Sequence, residues 1–234
     1  KGLQERGHNV MIAGKNNSII LKKADNLNLP TVVLDIKSDI SPVMTFKIAR
    51  YLEYNKIDIL ICNFNKDVRV AGLAAKFAKT KVVLARHGVL LCKNRWKYKF
   101  PLKKFTDGII TNTISIKKIY ESYHWFTDDF VKVIYNGIED KSSVRAHNYN
   151  NDYPNKKIIF SAGRLTSQKG FHYLIGAVKI LKRKRNDFVI IIAGDGRLKH
   201  ELKRQIKKNE LESQVVLKGF ISNLDPYLKG CDLF

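Results

Sequence analysis

The segment Ala162-Gly163-Arg164-Leu165-Thr166-Ser167-Gln168-Lys169-Gly170 gathers a glycine and two cations into one short stretch directly after an apolar run. Gly163 lets a ligand approach the backbone closely. Arg164 offers a planar fork for phosphate oxygens, and Lys169 adds a point charge. A helical pattern starts near Gly170, and the positive end of a helix favours anions. Together these residues describe an anion site; the alternative is an ordinary βα loop with solvated charges.

Three further segments invite the same question. Ala193-Gly194-Asp195-Gly196 opens like a dinucleotide fingerprint, but Lys199 stands where the third glycine belongs, and a tight βα turn explains it equally well. Arg86-His87-Gly88 follows a buried run, where His87 could bond a polar ligand or stabilise charge, or simply cap a loop. Asn136-Gly137 follows another strand and reads as a turn, placed so that it could line an interdomain cleft or act as a hinge. The sequence contains no P-loop, no G-x-S-x-G elbow and no H-E-x-x-H, and no metal site is expected. Cys62, Cys92 and Cys231 lie far apart and form no C-x-x-C pair, which suits a reducing compartment.

Strands and helices in alternation must hold these segments. Apolar runs at Val10–Ala13, Thr31–Leu34, Ile57–Cys62, Val82–Ala85, Gly108–Thr111 and Val131–Ile134 read as strands. Met44, Ile48, Tyr51 and Leu52 share a helical face, and Val68 to Ala75 marks a small-residue helix. A helix from Ser115 to Tyr123 has Thr113 as its N-cap. The second half repeats the rhythm, with strands at Lys157–Ser161, Phe188–Ala193 and Val215–Leu217 and helical stripes Phe171–Leu181 and Leu198–Ile206. Continuously apolar strands alternating with helices predict parallel sheets covered on both faces. In such sheets ligands bind outside the carboxyl ends of the strands, where all four segments fall. The polar stretch 139–155 predicts a linker, so the expected domains are 1–138 and 156–234.

Composition narrows the function classes. The 234 residues are 44% hydrophobic and 27% charged, as in a globular protein, and no apolar run is long enough for a spanning helix. The formal charge of +22 points to an anionic partner, a nucleic acid or an acidic membrane face, or reflects a bias that enriches Lys, Ile and Asn together. The chain reads as opening inside a helix end, Gly2–Arg6 stopped by Gly7, and closing on a nascent strand, Cys231–Phe234, so further sequence is expected on each side.

An ordered set of motifs resembles the retaining GT-B glycosyltransferases of family 4. It runs from Leu3-x-x-Arg6-Gly7-His8-Asn9-Val10 through Arg86-His87-Gly88 and Val133-Ile134-Tyr135-Asn136-Gly137-Ile138-Glu139. It continues with Gly163-Arg164-Leu165…Gln168-Lys169-Gly170, Ile192-Ala193-Gly194-Asp195-Gly196, Val216-Leu217-Lys218-Gly219-Phe220 and Tyr227 to Phe234. The resemblance implies an α/β GT-B fold, two Rossmann-like doubly wound domains facing a cleft, the first lacking its first strand and the second incomplete.

It also implies transfer of a sugar from a nucleotide-sugar donor, such as a UDP- or GDP-sugar, to a glycan or lipid-linked acceptor in polysaccharide or lipopolysaccharide synthesis. In that resemblance Gly163, Arg164 and Lys169 hold the donor diphosphate, and Gly194, Gly219 and Phe220 meet the nucleotide. His87 lies by the reacting sugar as the catalytic residue, and Asn136 and Gly137 line the cleft. No separate cofactor is implied. The location implied is the cytoplasm, peripheral on an anionic inner membrane face, with no nucleic acid partner. The family's E-x7-E acids would follow Phe234 and its glycine loop would precede Lys1, so the chain alone is expected to be inactive. A sugar-nucleotide epimerase or hydrolase of the same fold, and a basic nucleic-acid-binding α/β protein, are the alternatives.

Overall fold

A computed structural model describes residues 1–138 and 143–234, so Glu139 and the start of the expected linker lie outside the described residues. The chain divides into two compact units, Lys1–Gly137 and Ile138–Phe234.

In the first unit, strand β1 (Ile12–Gly14) pairs in parallel with β2 (Thr31–Val33), bridged by helix α1 (Ile19–Asp25). Four further strands, β3 (Ile59–Cys62), β4 (Val82–His87), β5 (Gly108–Thr111) and β6 (Val131–Val133), form a second parallel sheet in sequential order. Helix α2 (Pro42–Tyr54) buries Ile48, Ala49 and Leu52, and the Ser41 hydroxyl caps it by accepting from the Met44 amide at 3.4 Å. A continuous helical stretch follows β3: α3 (Asn65–Asp67), a π-helical turn Val68–Gly72 and α4 (Leu73–Phe77). Its small residues permit close packing, because a Cβ on Gly72 would stand 3.1 Å from the Phe105 carbonyl oxygen. Helix α5 (Trp96–Phe105) was not expected from the sequence, whereas α6 (Ile114–Ser122) starts at the expected Thr113 cap.

The core of this unit lies on one face of the four-stranded sheet, among Ile48, Ala74, Val83, Ala85, Leu102, Ile109 and Tyr120. On the opposite face Leu84 of β4 and Ile110 of β5 are half-buried, and the edge strand β3 is open there. Alternation along β3 buries Cys62 and leaves Ile59 and Ile61 open at 56% and 44% exposure. The β1–β2 pair is also a separate sheet, tied to α2 by the Tyr51 hydroxyl against the Met11 sulfur at 2.6 Å.

The second unit fulfils the two-faced expectation. Strands β7 (Lys157–Ala162), β8 (Phe188–Ala193) and β9 (Val215–Gly219) are parallel and in order, and every residue of β8 is buried. Phe188, Ile190 and Ile192 face helices α7 (Phe171–Lys182) and α8 (Lys199–Lys208). Val189, Ile191 and Ala193 face the opposite layer, which includes helix α9 (Asp225–Gly230). On the other edge of β7, Leu233 pairs in parallel with Ile159, and the Phe160 amide donates to the Leu233 carbonyl at 2.8 Å. Strand order therefore reverses at β7.

The expected linker 139–155 needs correction. From His147 onward it belongs to the second core. Tyr149 is 5% exposed and its hydroxyl donates to the Tyr227 carbonyl at 3.1 Å, while the His147 ring packs against both tyrosines. Its polar composition hid a buried aromatic anchor. Helices α1 to α9 include none long and apolar enough to cross a membrane among the described residues.

Candidate functional site

In the second unit the candidate site is the set of loops leaving the carboxyl ends of β7, β8 and β9. The backbone stitches these loops together. Gly163 N–H donates to the Ala193 carbonyl at 2.9 Å, Leu165 N–H to that of Asp195 at 2.9 Å, and Gly194 N–H to that of Gly219 at 2.7 Å. Leu165, 1% exposed, drives its side chain into the α7–α8 core and anchors the loop from below.

This stitching explains two glycines. A Cβ on Gly194 (φ +148°) would fall 1.9 Å from the Gly163 carbonyl oxygen, and one on Gly196 (φ +158°) would fall 2.6 Å from that of Leu165. Both glycines are required because the loop after β7 lies directly on them. Lys199, standing in place of a third glycine, begins α8 and pairs with Asp195 at 2.9 Å. That pair, with the Gly196 amide, holds the Asp195 carboxyl below its ordinary range and neutralises the acid of the loop.

Gly163 differs. A Cβ there would meet only Phe171 at 3.5 Å and the Lys169 side chain at 3.6 Å, which are ordinary contacts. The aliphatic part of Lys169 thus lies along Gly163 at the end of β7. Arg164 and Lys169 are exposed, and among the described residues neither has an acidic partner. Lys169 closes a short 3-10 turn, Ser167–Lys169; left-handed Gly170 (φ +68°) then starts α7, where the sequence placed a helix start. Gly219 has φ +81° with open space around it, and Phe220 after it is 78% exposed. The structure therefore gathers Gly163, Arg164, Lys169, Gly194, Gly219 and Phe220 at one end of one sheet. It is the end where ligands bind in such folds, and β7 is its topological switch point.

The first unit has its own polar cluster at strand ends. His87 closes β4 rather than following it, and it pairs in register with Thr111 of β5. It is fully buried, and its Nδ1 lies 2.6 Å from the Tyr120 hydroxyl. Burial pushes its pKa down to about 4, so the ring is neutral at ordinary pH. A neutral imidazole hydrogen-bonds but does not stabilise charge as a cation, which argues against the charge-stabilising role and leaves ligand bonding and loop capping. Its Nε2 is buried without a partner, as are Thr111 Oγ1 and Asn112 Oδ1. Each such orphan costs about 1–3 kcal/mol unless something binds it. Nδ1 of His87 is thus engaged by Tyr120, while Nε2 has no partner among the described residues.

Thr111, Asn112 and Tyr120 escaped the sequence reading. A hydroxyl ending the apolar run Gly108-Ile109-Ile110-Thr111 was the available signal. Asn136 and Gly137 lie at the boundary of the units, but they form no turn; both are exposed in irregular chain, and a Cβ on Gly137 would meet nothing. Among the described residues no group of three or more His, Cys, Asp or Glu is assembled that could hold a metal ion.

Comparison with known proteins follows the same division. Residues 1–142 match the family profile of Glycosyltransferase Family 4, and residues 145–234 match that of Glycosyl transferases group 1. An uncharacterized glycosyltransferase of Methanocaldococcus jannaschii is 33% identical over 137 residues, covering 56% of this chain and 34% of that protein. The N-acetylgalactosamine-N,N'-diacetylbacillosaminyl-diphospho-undecaprenol 4-alpha-N-acetylgalactosaminyltransferase of Campylobacter jejuni is 41% identical over 78 residues, covering 33% of this chain and 20% of that protein. Among solved structures, Anabaena HepE in complex with UDP and glucose superposes with a TM-score of 0.73 at 18% identity, over 95% of this chain and 64% of that one. The fold is GT-B, and the chain spans about a third of the length of the first curated relative it matches.

Proposed function

The chain belongs to Glycosyltransferase Family 4, and from that premise we propose that it moves a sugar from a nucleoside-diphosphate sugar to a glycan or lipid-linked acceptor, with retention at the anomeric carbon. The observation that carries this reading is the pair of exposed cations, Arg164 and Lys169, without an acidic partner among the described residues, at the carboxyl end of the strand where sheet order reverses. When the bond between the anomeric carbon and the phosphate oxygen breaks, its electrons pass to the leaving diphosphate. Fixed cations aimed at that oxygen stabilise the developing charge. Gly163 leaves the backbone open to the diphosphate, and Gly219 and Phe220 meet the nucleoside, the exposed Phe220 ring offering a face to the base, while Gly194, covered by the Gly163 loop, serves to seat that loop. His87 acts through Nε2 as a neutral hydrogen-bonding partner of a sugar or acceptor hydroxyl.

The names of its relatives support the choice of substrates: HepE was solved with UDP and glucose, and the Campylobacter enzyme is named for a diphospho-undecaprenol acceptor. We assign the reaction to cell-surface polysaccharide or lipopolysaccharide synthesis, at the cytoplasmic face of the membrane.

Calorimetry with UDP, GDP and ADP tests the diphosphate grip. Arg164→Ala should weaken the tightest of the three by about 10- to 100-fold, because a charge-assisted bond contributes roughly 1.5–3 kcal/mol. Unchanged affinity would remove the central assignment. Donor turnover without any acceptor, by a form of the protein that carries its flanking sequence, would instead favour an epimerase or hydrolase.

A further inference from the structure

The His87 ring ends a buried chain of hydrogen bonds, and the direction of that chain decides which ring nitrogen carries the proton. Helix α6 turns Ile116 and Tyr120, four residues apart on one face, into the core. Tyr120 is fully buried, and its hydroxyl meets His87 Nδ1 at 2.6 Å. The Cys92 thiol, from the loop between β4 and α5, also lies within bonding reach of that hydroxyl. Cys92 Sγ donates to Asn65 Oδ1 at 3.1 Å. The Asn65 amide is itself oriented, because its Nδ2 donates to the Leu91 carbonyl at 3.0 Å. Its oxygen is therefore the atom turned toward Cys92, and the thiol proton is committed there.

Burial pushes the Tyr120 phenol far above its ordinary range, so the hydroxyl keeps its proton and has two neighbours that could take it as a hydrogen bond. A thiol sulfur is a weak acceptor, whereas the neutral imidazole nitrogen is a good one. Length points the same way. The contact of 2.6 Å lies within the range of O–H donors and below the roughly 2.7–3.2 Å of N–H donors. The bond therefore runs from Tyr120 O–H to Nδ1. A neutral ring holds one N–H, so the proton sits on Nε2.

We infer that Tyr120 is a positioning residue: by donating to Nδ1 it fixes His87 in the tautomer that presents Nε2–H, which makes His87 a hydrogen-bond donor and not a proton acceptor. The oxygen that meets Nε2 must then accept. Thr111 Oγ1 is buried without a partner as well, and its register with His87 puts both side chains on one face of the sheet. A hydroxyl oxygen suits the pair, since it can accept from Nε2–H and donate to Thr111. One chemistry is excluded: in this tautomer Nε2 cannot take the proton of an acceptor hydroxyl as a general base. The inference rests on the function proposed above only for the identity of that hydroxyl, a sugar's or an acceptor's; the tautomer itself does not depend on it.

Nitrogen-15 NMR of histidine-labelled protein reads the tautomer directly, and His87→Gln identifies the His87 signals among the six histidines. The parent should show a protonated Nε2 and an unprotonated Nδ1. In Tyr120→Phe that pattern should give way to a mixture of the two tautomers. The bond from Tyr120 favours the neutral ring, so in this variant His87, which burial holds at about 4, should titrate at higher pH, by up to about one pH unit. With the bond reversed, Nδ1–H donating to Tyr120, its loss would move the titration downward instead. Cys92→Ala gives an independent reading: it removes the other acceptor open to Tyr120 and should leave the Nε2–H pattern as in the parent. A proton on Nδ1 in the parent, a parental spectrum in Tyr120→Phe, or a downward titration overturns the inference, as does a tautomer that changes in Cys92→Ala. Failure of nucleoside-diphosphate binding in calorimetry would remove the reading of the donor site and leave these nitrogen signals as they are.

Discussion

If the loop after β7 is held by backbone contact rather than by its own side chains, two glycine-to-alanine changes 31 positions apart should behave oppositely. A Cβ on Gly194 would stand 1.9 Å from the Gly163 carbonyl oxygen, where ordinary contact begins near 3.4 Å. The loop must therefore retreat by about 1.5 Å, enough to lose the Gly163-to-Ala193 and Leu165-to-Asp195 hydrogen bonds, both 2.9 Å. At about 1 kcal/mol for each bond and roughly 1–3 kcal/mol for forcing an alanine to φ +148°, Gly194→Ala should cost about 3–5 kcal/mol. Gly163→Ala meets nothing closer than 3.5 Å and has no left-handed φ, so it should change stability by less than about 1 kcal/mol. Yet it places a methyl where the proposed diphosphate lies, so nucleoside-diphosphate affinity should fall at least tenfold. Both tryptophans lie in the first unit, so amide hydrogen exchange over the 160–198 region is the suitable stability assay, with calorimetry for binding. A Gly194→Ala protein with parental protection in that region would refute the packing argument. A Gly163→Ala protein that binds normally would refute the backbone approach.

Two other perturbations probe the same construction. His87 titrates near 4 in the fold against about 6.5 when unfolded, so the unfolded chain takes up the proton first. Its stabilising contribution is full above pH 6.5 and is lost as pH falls toward 4; parental stability should drop by about 3 kcal/mol more than that of His87→Gln across this window in denaturant titrations. Equal losses would show that the buried ring is not responsible. Leu165→Ala empties a side chain that is 1% exposed and should destabilise the second unit by about 2–5 kcal/mol, weakening nucleotide binding as its loop loosens.

Much of the fold was legible because strand periodicity and caps are local. The runs at Phe188–Ala193 and Gly108–Thr111 and the Thr113 cap coincide with the observed elements. Helix α5 was not legible, because Trp96-Lys97-Tyr98-Lys99-Phe100 alternates with the period of a strand and Pro101 follows. Two stripes on one helix, one for the core and one left outside, blur the single periodicity that marks an amphipathic helix. The strand-end sites were legible as positions but not as partnerships. His87 and Thr111 are 24 residues apart and become neighbours only through the β4–β5 register. Gly194 looked like part of a ligand fingerprint, and only the fold shows that the loop carrying Gly163 already occupies the space its missing side chain leaves.

The charge of +22 resolves in a similar way. Of the lysine doublets that stand out in the sequence, Lys22-Lys23, Lys103-Lys104 and Lys207-Lys208 fall in the last turns of α1, α5 and α8, where cations complement the negative end of the helix dipole. These positions need no external partner. The segment around α5 is different in kind, since its basic residues also extend to Lys93, Arg95, Lys97 and Lys99, at or before the start of the helix, where the dipole disfavours them. These cations stand at the unfavourable end of the helix, beside two outward aromatic rings, with no acid between residues 93 and 105. Salt tests this division: raising ionic strength should leave folding stability in denaturant titrations nearly unchanged, and a steep loss would mean that the charge around α5 serves the fold.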